Sequence, residues 1–131
     1  MRDLATARIV HLSVVRLTRA TLDVFSDYLA SGGKLYVLTN AITRFPGYVG
    51  EVVAAKNALV LAGADVRHYI TPYLLHSKLL CITPDIVYIG SHNFSIQSLG
   101  RNIERSLRIV SQSLYDQVVR DIVTQGGGGK I

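Results

Sequence analysis

The stretch "LLHSKLLCITPDIVYIGSHNFS", residues 74–95, decides how the chain is read. Two apolar runs, "LLHSKLLCI" (74–82) and "DIVYIG" (85–90), meet around Thr83-Pro84 and predict a hairpin-like pair of strands. Strand alternation sends His76, Lys78 and Leu80 to one side and Ser77, Leu79 and Cys81 to the other. An antiparallel return brings the end of the second run, Ile89-Gly90, beside the start of the first. Ser91 and Asn93 then lie close to His76 and Lys78. An imidazole, an ammonium, a hydroxyl and an amide converge on one small site.

Outward from this hairpin, strands alternate with helices. "RIVHLSVV" (8–15) is β-branched and predicts a strand. "ATLDVFSDYLAS" (20–31) sets Leu22, Phe25 and Leu29 at helical spacing and closes at Gly32-Gly33. "KLYVLTN" (34–40) is a second strand, and Pro46-Gly47 with Gly50 mark a loop. "EVVAAKNALVLAG" (51–63) opens on an acidic residue and stops at glycine, as a helix does, and "ADVRHYI" (64–70) is a third strand. Beyond the hairpin, a short helical turn is expected before Gly100, then a strand over "IERSLRIV" (103–110). A helix over 113–125 follows, with Ser113 and Asp116 spaced as a capping box and Leu114, Val118 and Ile122 on its apolar face. The pattern predicts an α/β fold, a mixed β-sheet flanked by helices on both faces, as one domain over residues 1–124. The glycine-rich tail 125–131 is expected to be disordered.

A chain of 131 residues with 49% hydrophobic content can bury a core without covalent staples. Its single cysteine, Cys81, forms no disulfide within the chain. With no signal-peptide pattern and no apolar run of membrane-spanning length, a cytoplasmic protein without stable membrane association is expected. Fourteen Lys and Arg against nine Asp and Glu give a formal charge of +5, and ten of the fourteen cations are arginine. That balance permits a polyanionic partner and equally fits a generic basic surface.

The converging groups suit phosphate chemistry. Lys78 offers a point charge to non-bridging oxygens, Asn93 and Ser91 offer directional hydrogen bonds, and His76 is a nucleophile or general acid near neutral pH. No carboxylate cluster or histidine pair has metal-ligand spacing, so no metal or cofactor is expected. A lone strand histidine is more often structural than catalytic, but Lys78 on an apolar strand has little other explanation. Glu104 fits either an ion pair with Arg101 or Arg105, or a hydrogen bond that fixes the imidazole tautomer. His92 is read as a rim residue, His11 and Ser13 as core or edge residues, His68 as structural and Cys81 as a small buried hydrophobe. Phe45 and Tyr48 suit stacking on single-stranded bases; packing within their loop is the leading reading.

His76, Lys78, Gly90, Ser91 and Asn93 form H-x-K followed by G-S-x-N, with the glycine fourteen positions after the histidine. This pattern resembles the HKD motif of the phospholipase D superfamily. The resemblance runs over roughly residues 8 to 124, and the continuation "IQSLGRNIERSLRI" places an acidic residue at Glu104. Thr83 stands where the family has its aspartate, five residues after the lysine, so no role is carried over to an aspartate there. The resemblance implies catalysis in which one histidine attacks phosphorus and a second protonates the leaving oxygen. Single-motif members, among them a bacterial endonuclease and the mitochondrial cardiolipin hydrolase/Zucchini group, complete the site by homodimerising.

These readings together predict a metal-independent phosphodiesterase, a homodimeric nuclease acting on DNA or RNA through a phosphohistidine, with His76, Lys78, Ser91, Asn93 and Glu104 as catalytic residues. The rival enzyme reading is a phospholipase or phosphatidyltransferase. The non-enzyme rival is a nucleic-acid-binding module with a decayed site.

Overall fold

The computed structural model of the chain describes residues 2–40, 46–69, 79–90 and 106–126. Along them run β1 (Ile9–Val14), α1 (Arg19–Ala30), β2 (Lys34–Asn40), α2 (Val49–Leu61) and β3 (Asp65–Tyr69). Then come β4 (Leu79–Ile82), β5 (Ile86–Gly90), β6 (Ser106–Val110) and α3 (Gln112–Gly126). The helical turn expected before Gly100, residues 74–78 and 103–105 of two predicted strands, and tail residues 127–131 lie outside the described residues. The last helix runs to Gly126, two residues into the segment read as tail.

The six described strands form one sheet in the order β3-β2-β1-β4-β5-β6. β1, β2 and β3 are parallel, β4 runs antiparallel to β1, and β5 and β6 continue antiparallel. This is the mixed sheet that the alternation of elements predicts. Helices cover both of its faces. Val10, Leu12, Val14, Leu80 and Ile82 pack with Phe25 and Leu29 of α1 and Leu59 of α2. On the opposite face Leu38, Cys81 and Val87 pack with Tyr115 and Ile122 of α3. The inner strands β1 and β4 are covered on both faces, which is why "LLCI" and "IVHLSV" do not alternate cleanly between apolar and polar.

Helix ends follow local chemistry. At α2's end Gly63 takes φ +107°, and its N–H reaches Val60 O while Ala64 N reaches Leu59 O at 2.9 Å. That pair of bonds satisfies two terminal carbonyls and turns the chain into β3. Gly32, at φ +92°, does the same for α1, and Gly33 leaves room for the Tyr28 ring, against which an added Cβ would stand at 2.2 Å. The start of α3 differs from the expected capping box. Ser111, not Ser113, caps it: Ser111 Oγ accepts from Leu114 N at 3.2 Å, and Asp116 accepts from Gln112 Nε2 at 2.9 Å. The cap lies two residues earlier than the spacing of Ser113 and Asp116 implied, with Ser111 just outside a helix that begins at Gln112.

The N-terminal turn is tied on from far along the chain. Asp3 accepts from Arg108 Nε at 3.0 Å and Nη2 at 3.2 Å, and from the Tyr88 hydroxyl. Burial and the Asp3 carboxylate push the Tyr88 phenol up to about 12, so it stays a donor at any ordinary pH.

Leu80 is fully buried opposite Leu12 in the middle of the sheet. Leu80→Ala should cost about 2–5 kcal/mol, read as a lower urea midpoint at unchanged slope.

Candidate active site

Strand directions place one edge of the sheet at the centre of the functional question. β1, β2, β3 and β5 end there, and β4 and β6 begin there. Register aligns Leu79 of β4 with Ile89 of β5, and Gly90 of β5 with Ser106 of β6. Neighbouring strands lie about 4.8 Å apart, so these three strand ends fall within about 10 Å of one another. In α/β sheets the edge beyond the carboxyl ends of parallel strands is where ligands bind.

His76, Lys78, Ser91, Asn93 and Glu104 lie outside the described residues, as do His92 and Phe45. What the structure describes is the frame. Lys78 directly precedes Leu79, and Ser91 directly follows Gly90. His76 is three residues from the start of β4, Asn93 three from the end of β5, and Glu104 two from the start of β6. The hairpin itself is antiparallel, as its sequence predicts.

Buried polar groups hold the neighbouring strand ends. Thr39 and Asn40 close β2 with 1% and 2% exposure, and both side chains donate to Val15 O, at 3.3 and 2.9 Å. The Asn40 carbonyl in turn meets His68 Nδ1 at 3.0 Å. A carbonyl only accepts, so His68 carries its proton on Nδ1. Its Nε2 is buried without a hydrogen-bond partner among the described residues. Burial, with Lys56 nearby, holds the His68 pKa below 6.5 against the opposing carbonyl bond. His11 is also buried and its pKa is lowered by burial; it stacks on Tyr36 with ring centroids 4.9 Å apart. Both imidazoles are structural, as the sequence reading had them. Cys81 is fully buried and its thiol is pushed up to about 12, which removes it as a nucleophile.

Thr83, at the motif's aspartate position, has a described role. It follows β4 at the opposite edge of the sheet, four strand residues and therefore about 13 Å of chain from Leu79. Its Oγ1 accepts from Arg8 N at 3.1 Å and Ile9 N at 3.2 Å, and its own N–H donates to Ile9 O at 3.2 Å. The hydroxyl therefore staples the start of β1 to the β4–β5 turn. A carboxylate at this place would accept the same two bonds.

Sequence reasoning missed two features. An apolar cavity of about 310 Å³ lies between the sheet and α3, lined among others by His11, Tyr36, Leu38 and Ile122. It reaches toward the starts of β1–β3 at Ile9 and Asp65, away from the edge that the motif flanks. The second is at that edge, where the Arg16 guanidinium lies 3.8 Å from the centre of the Tyr48 ring. Tyr48 is 48% exposed. Among the described residues no three His, Cys, Asp or Glu side chains form a cluster fit for a metal ion, and no helix is long and apolar enough to cross a membrane.

This frame is that of a phosphodiesterase superfamily. The model of a family described as cardiolipin synthase, PLD-like domain, matches residues 4–124, and the chain belongs to that phospholipase D-like family. Similar solved structures include Nuc, a phospholipase D family member from Salmonella typhimurium, at TM-score 0.76 and 15% identity over 98% of this chain and 85% of that one. NucT from Helicobacter pylori aligns at TM-score 0.63 and 14% identity, over 98% and 86%. TrmBL2, an archaeal chromatin protein, aligns at TM-score 0.63 and 12% identity over 98% of this chain and 47% of its own. At these identities the likeness is one of fold. No curated protein matches by sequence.

Two outcomes follow from the frame. Thr83→Ala strands two backbone donors and should cost about 1–2 kcal/mol, whereas Thr83→Asp should stay near wild type in thermal denaturation. The buried imidazoles bind protons less readily folded than unfolded. As pH falls below 6.5, the unfolded chain protonates first, and stability should decline from there until the lowered folded pKa values are passed. A shallower slope in His68→Gln, from urea titrations at stepped pH, checks the His68 share.

Proposed function

We propose that this protein is a metal-independent phosphodiesterase that hydrolyses nucleic acid, DNA or RNA, in a site shared between two copies of the chain. The observation that carries the reading is the register of β4, β5 and β6, whose ends at Leu79, Gly90 and Ser106 share one edge. The H-x-K, G-S-x-N and Glu104 segments each adjoin one of those ends in sequence.

In this reading His76 attacks phosphorus, and its nitrogen–phosphorus bond forms as the bond to the leaving oxygen breaks. The partner's His76, entering as an imidazolium, gives that oxygen its proton. It then takes a proton from the water that displaces His76 from phosphorus, which restores both histidines. Lys78 and Asn93 hold the charge that develops on the non-bridging oxygens, Ser91 adds a hydrogen bond, and Glu104 fixes the imidazole tautomer. One chain supplies one such histidine, so the second comes from a two-fold-related copy. Apolar surface at this edge supports a second copy: Ile89 and Leu107 are register partners, 39% and 61% exposed.

Nucleic acid is favoured by the charge of +5 with its ten arginines, and by the likeness to TrmBL2, whose structure shows a novel mode of DNA binding. Phosphatidyl transfer is the second reading, favoured by the description of the matching family as cardiolipin synthase. The cellular site proposed is the cytoplasm.

Oligonucleotides and phosphatidylglycerol vesicles assayed side by side in excess EDTA separate the two. Oligonucleotide cleavage that survives chelation supports the proposal; cleavage lost to EDTA and restored by a divalent cation overturns its mechanism. His76→Ala should lower turnover by at least about 10²–10³. A heterodimer of wild-type and tagged His76→Ala chains should be equally silent. Half of wild-type activity in that heterodimer would mean two independent sites.

A further inference from the structure

Two strand ends, those of β2 and β3, spend buried polar side chains on holding the exit of β1. Thr39 and Asn40 both donate to Val15 O, and His68 donates to the Asn40 carbonyl. All three residues are at least 98% buried. Placing such groups in a core is costly unless their bonds are made, and two of them converge on the carbonyl directly before Arg16. The residue so fixed lies two positions past the end of β1, at the edge where the motif-bearing strands also end.

Arg16 does not reach into open water from there. Its guanidinium carbon lies 3.8 Å from the centroid of the Tyr48 ring, well inside the range of a cation–π contact. Tyr48 is the residue before α2, and α2 begins at this same edge because it follows β2 and leads back to β3. The ring is 48% exposed although its face has a cation over it, so the exposure belongs to the rest of the ring. Tyr48 makes no side-chain cap bond to α2. Its neighbour Val49 is 42% exposed, which extends the apolar surface beside the ring.

We infer that Tyr48 and Arg16 form a platform for one unpaired nucleotide, the base stacking on the phenol ring and its phosphate taken by the guanidinium. The platform selects single-stranded nucleic acid. An aromatic face of this kind accepts any base, provided that the base is not already stacked within a duplex. Arg16 neutralises a phosphate while its stacking holds the ring in one orientation, which lowers the entropy lost on binding. The inference rests on the phosphodiesterase reading above and adds to it the strandedness of the substrate. It also separates two roles at the edge: Tyr48 and Arg16 hold the strand, and the motif residues act on it.

The experiment uses full-length protein and a single-stranded oligonucleotide carrying 2-aminopurine, whose fluorescence is quenched by stacking, with a blunt duplex of the same sequence as comparison. Wild type should quench the probe and bind the single strand about tenfold more tightly than the duplex. Tyr48→Ala should lose the quenching and bind the single strand about tenfold more weakly; Tyr48→Phe should retain both. Tyr48→Leu keeps apolar bulk at the start of α2 and should still lose the quenching, which distinguishes stacking from folding. If wild type cleaves nucleic acid while Tyr48→Ala and Tyr48→Leu bind and quench as wild type does, the platform is refuted and the phosphodiesterase reading stands. If wild type neither binds nor cleaves any nucleic acid, the reading beneath the inference fails with it.

Discussion

The antiparallel pairing of β4 with β1 is the constraint from which the rest of the architecture follows. At this junction a parallel half-sheet, β3-β2-β1, meets an antiparallel half, β4-β5-β6. Leu12 and Leu80 face each other across it with no exposed surface, and Val10 pairs with Ile82 in the same core. A slip of one residue would turn Leu80 and Ile82 toward α3 and drive Leu79 and Cys81 into the α1–α2 layer. Because the register is held there, β4 starts at the edge where β1 ends. In sequence, "HSK" directly precedes the first described residue of β4, Leu79.

The opposite edge does different work. Thr83 accepts from the Arg8 and Ile9 amides, Gly32 and Gly33 turn α1 into β2, and Ser111 caps α3. Each of these satisfies backbone groups that a strand start or helix end would otherwise leave open. Thr83 belongs to this set by position and by bonding. Thr83 is thus a backbone staple at the edge of the sheet remote from the motif ends.

Much of the fold was legible because periodicity and helix stops are local signals. The runs "KLYVLTN" and "DIVYIG" matched β2 and β5 within a residue, and Gly63 ended α2 where its φ of +107° requires a residue without Cβ. Two-residue spacing also assigned Cys81 and Leu80 to opposite faces correctly. What was not legible depended on distance along the chain or on competing caps. The Asp3–Arg108 pair joins residues 105 positions apart, and no local pattern announces it. Spacing pointed to Ser113 as the cap of α3, and backbone geometry gives that place to Ser111. The candidate site was legible as residue types and spacing, since H-x-K and G-S-x-N are short-range patterns. Arg16 and Tyr48 escaped because they are 32 positions apart and meet only when β1 and α2 are both placed.

Burial also divides the histidines. His11 and His68 are held neutral within the two cores, where a charged imidazole would be left without compensation. Neither is suited to trade protons with a substrate at the edge, and His68 already spends its Nδ1 proton on the Asn40 carbonyl. In the proposed reaction, acid–base work on the phosphodiester falls to His76 rather than to either of them. In that reading one H-x-K supplies one nucleophilic histidine, while displacement at phosphorus needs groups on opposite sides of the reacting atom. The proposed reading takes the second group from a two-fold partner, and exposed Ile89 and Leu107 offer apolar surface beside the shared strand ends.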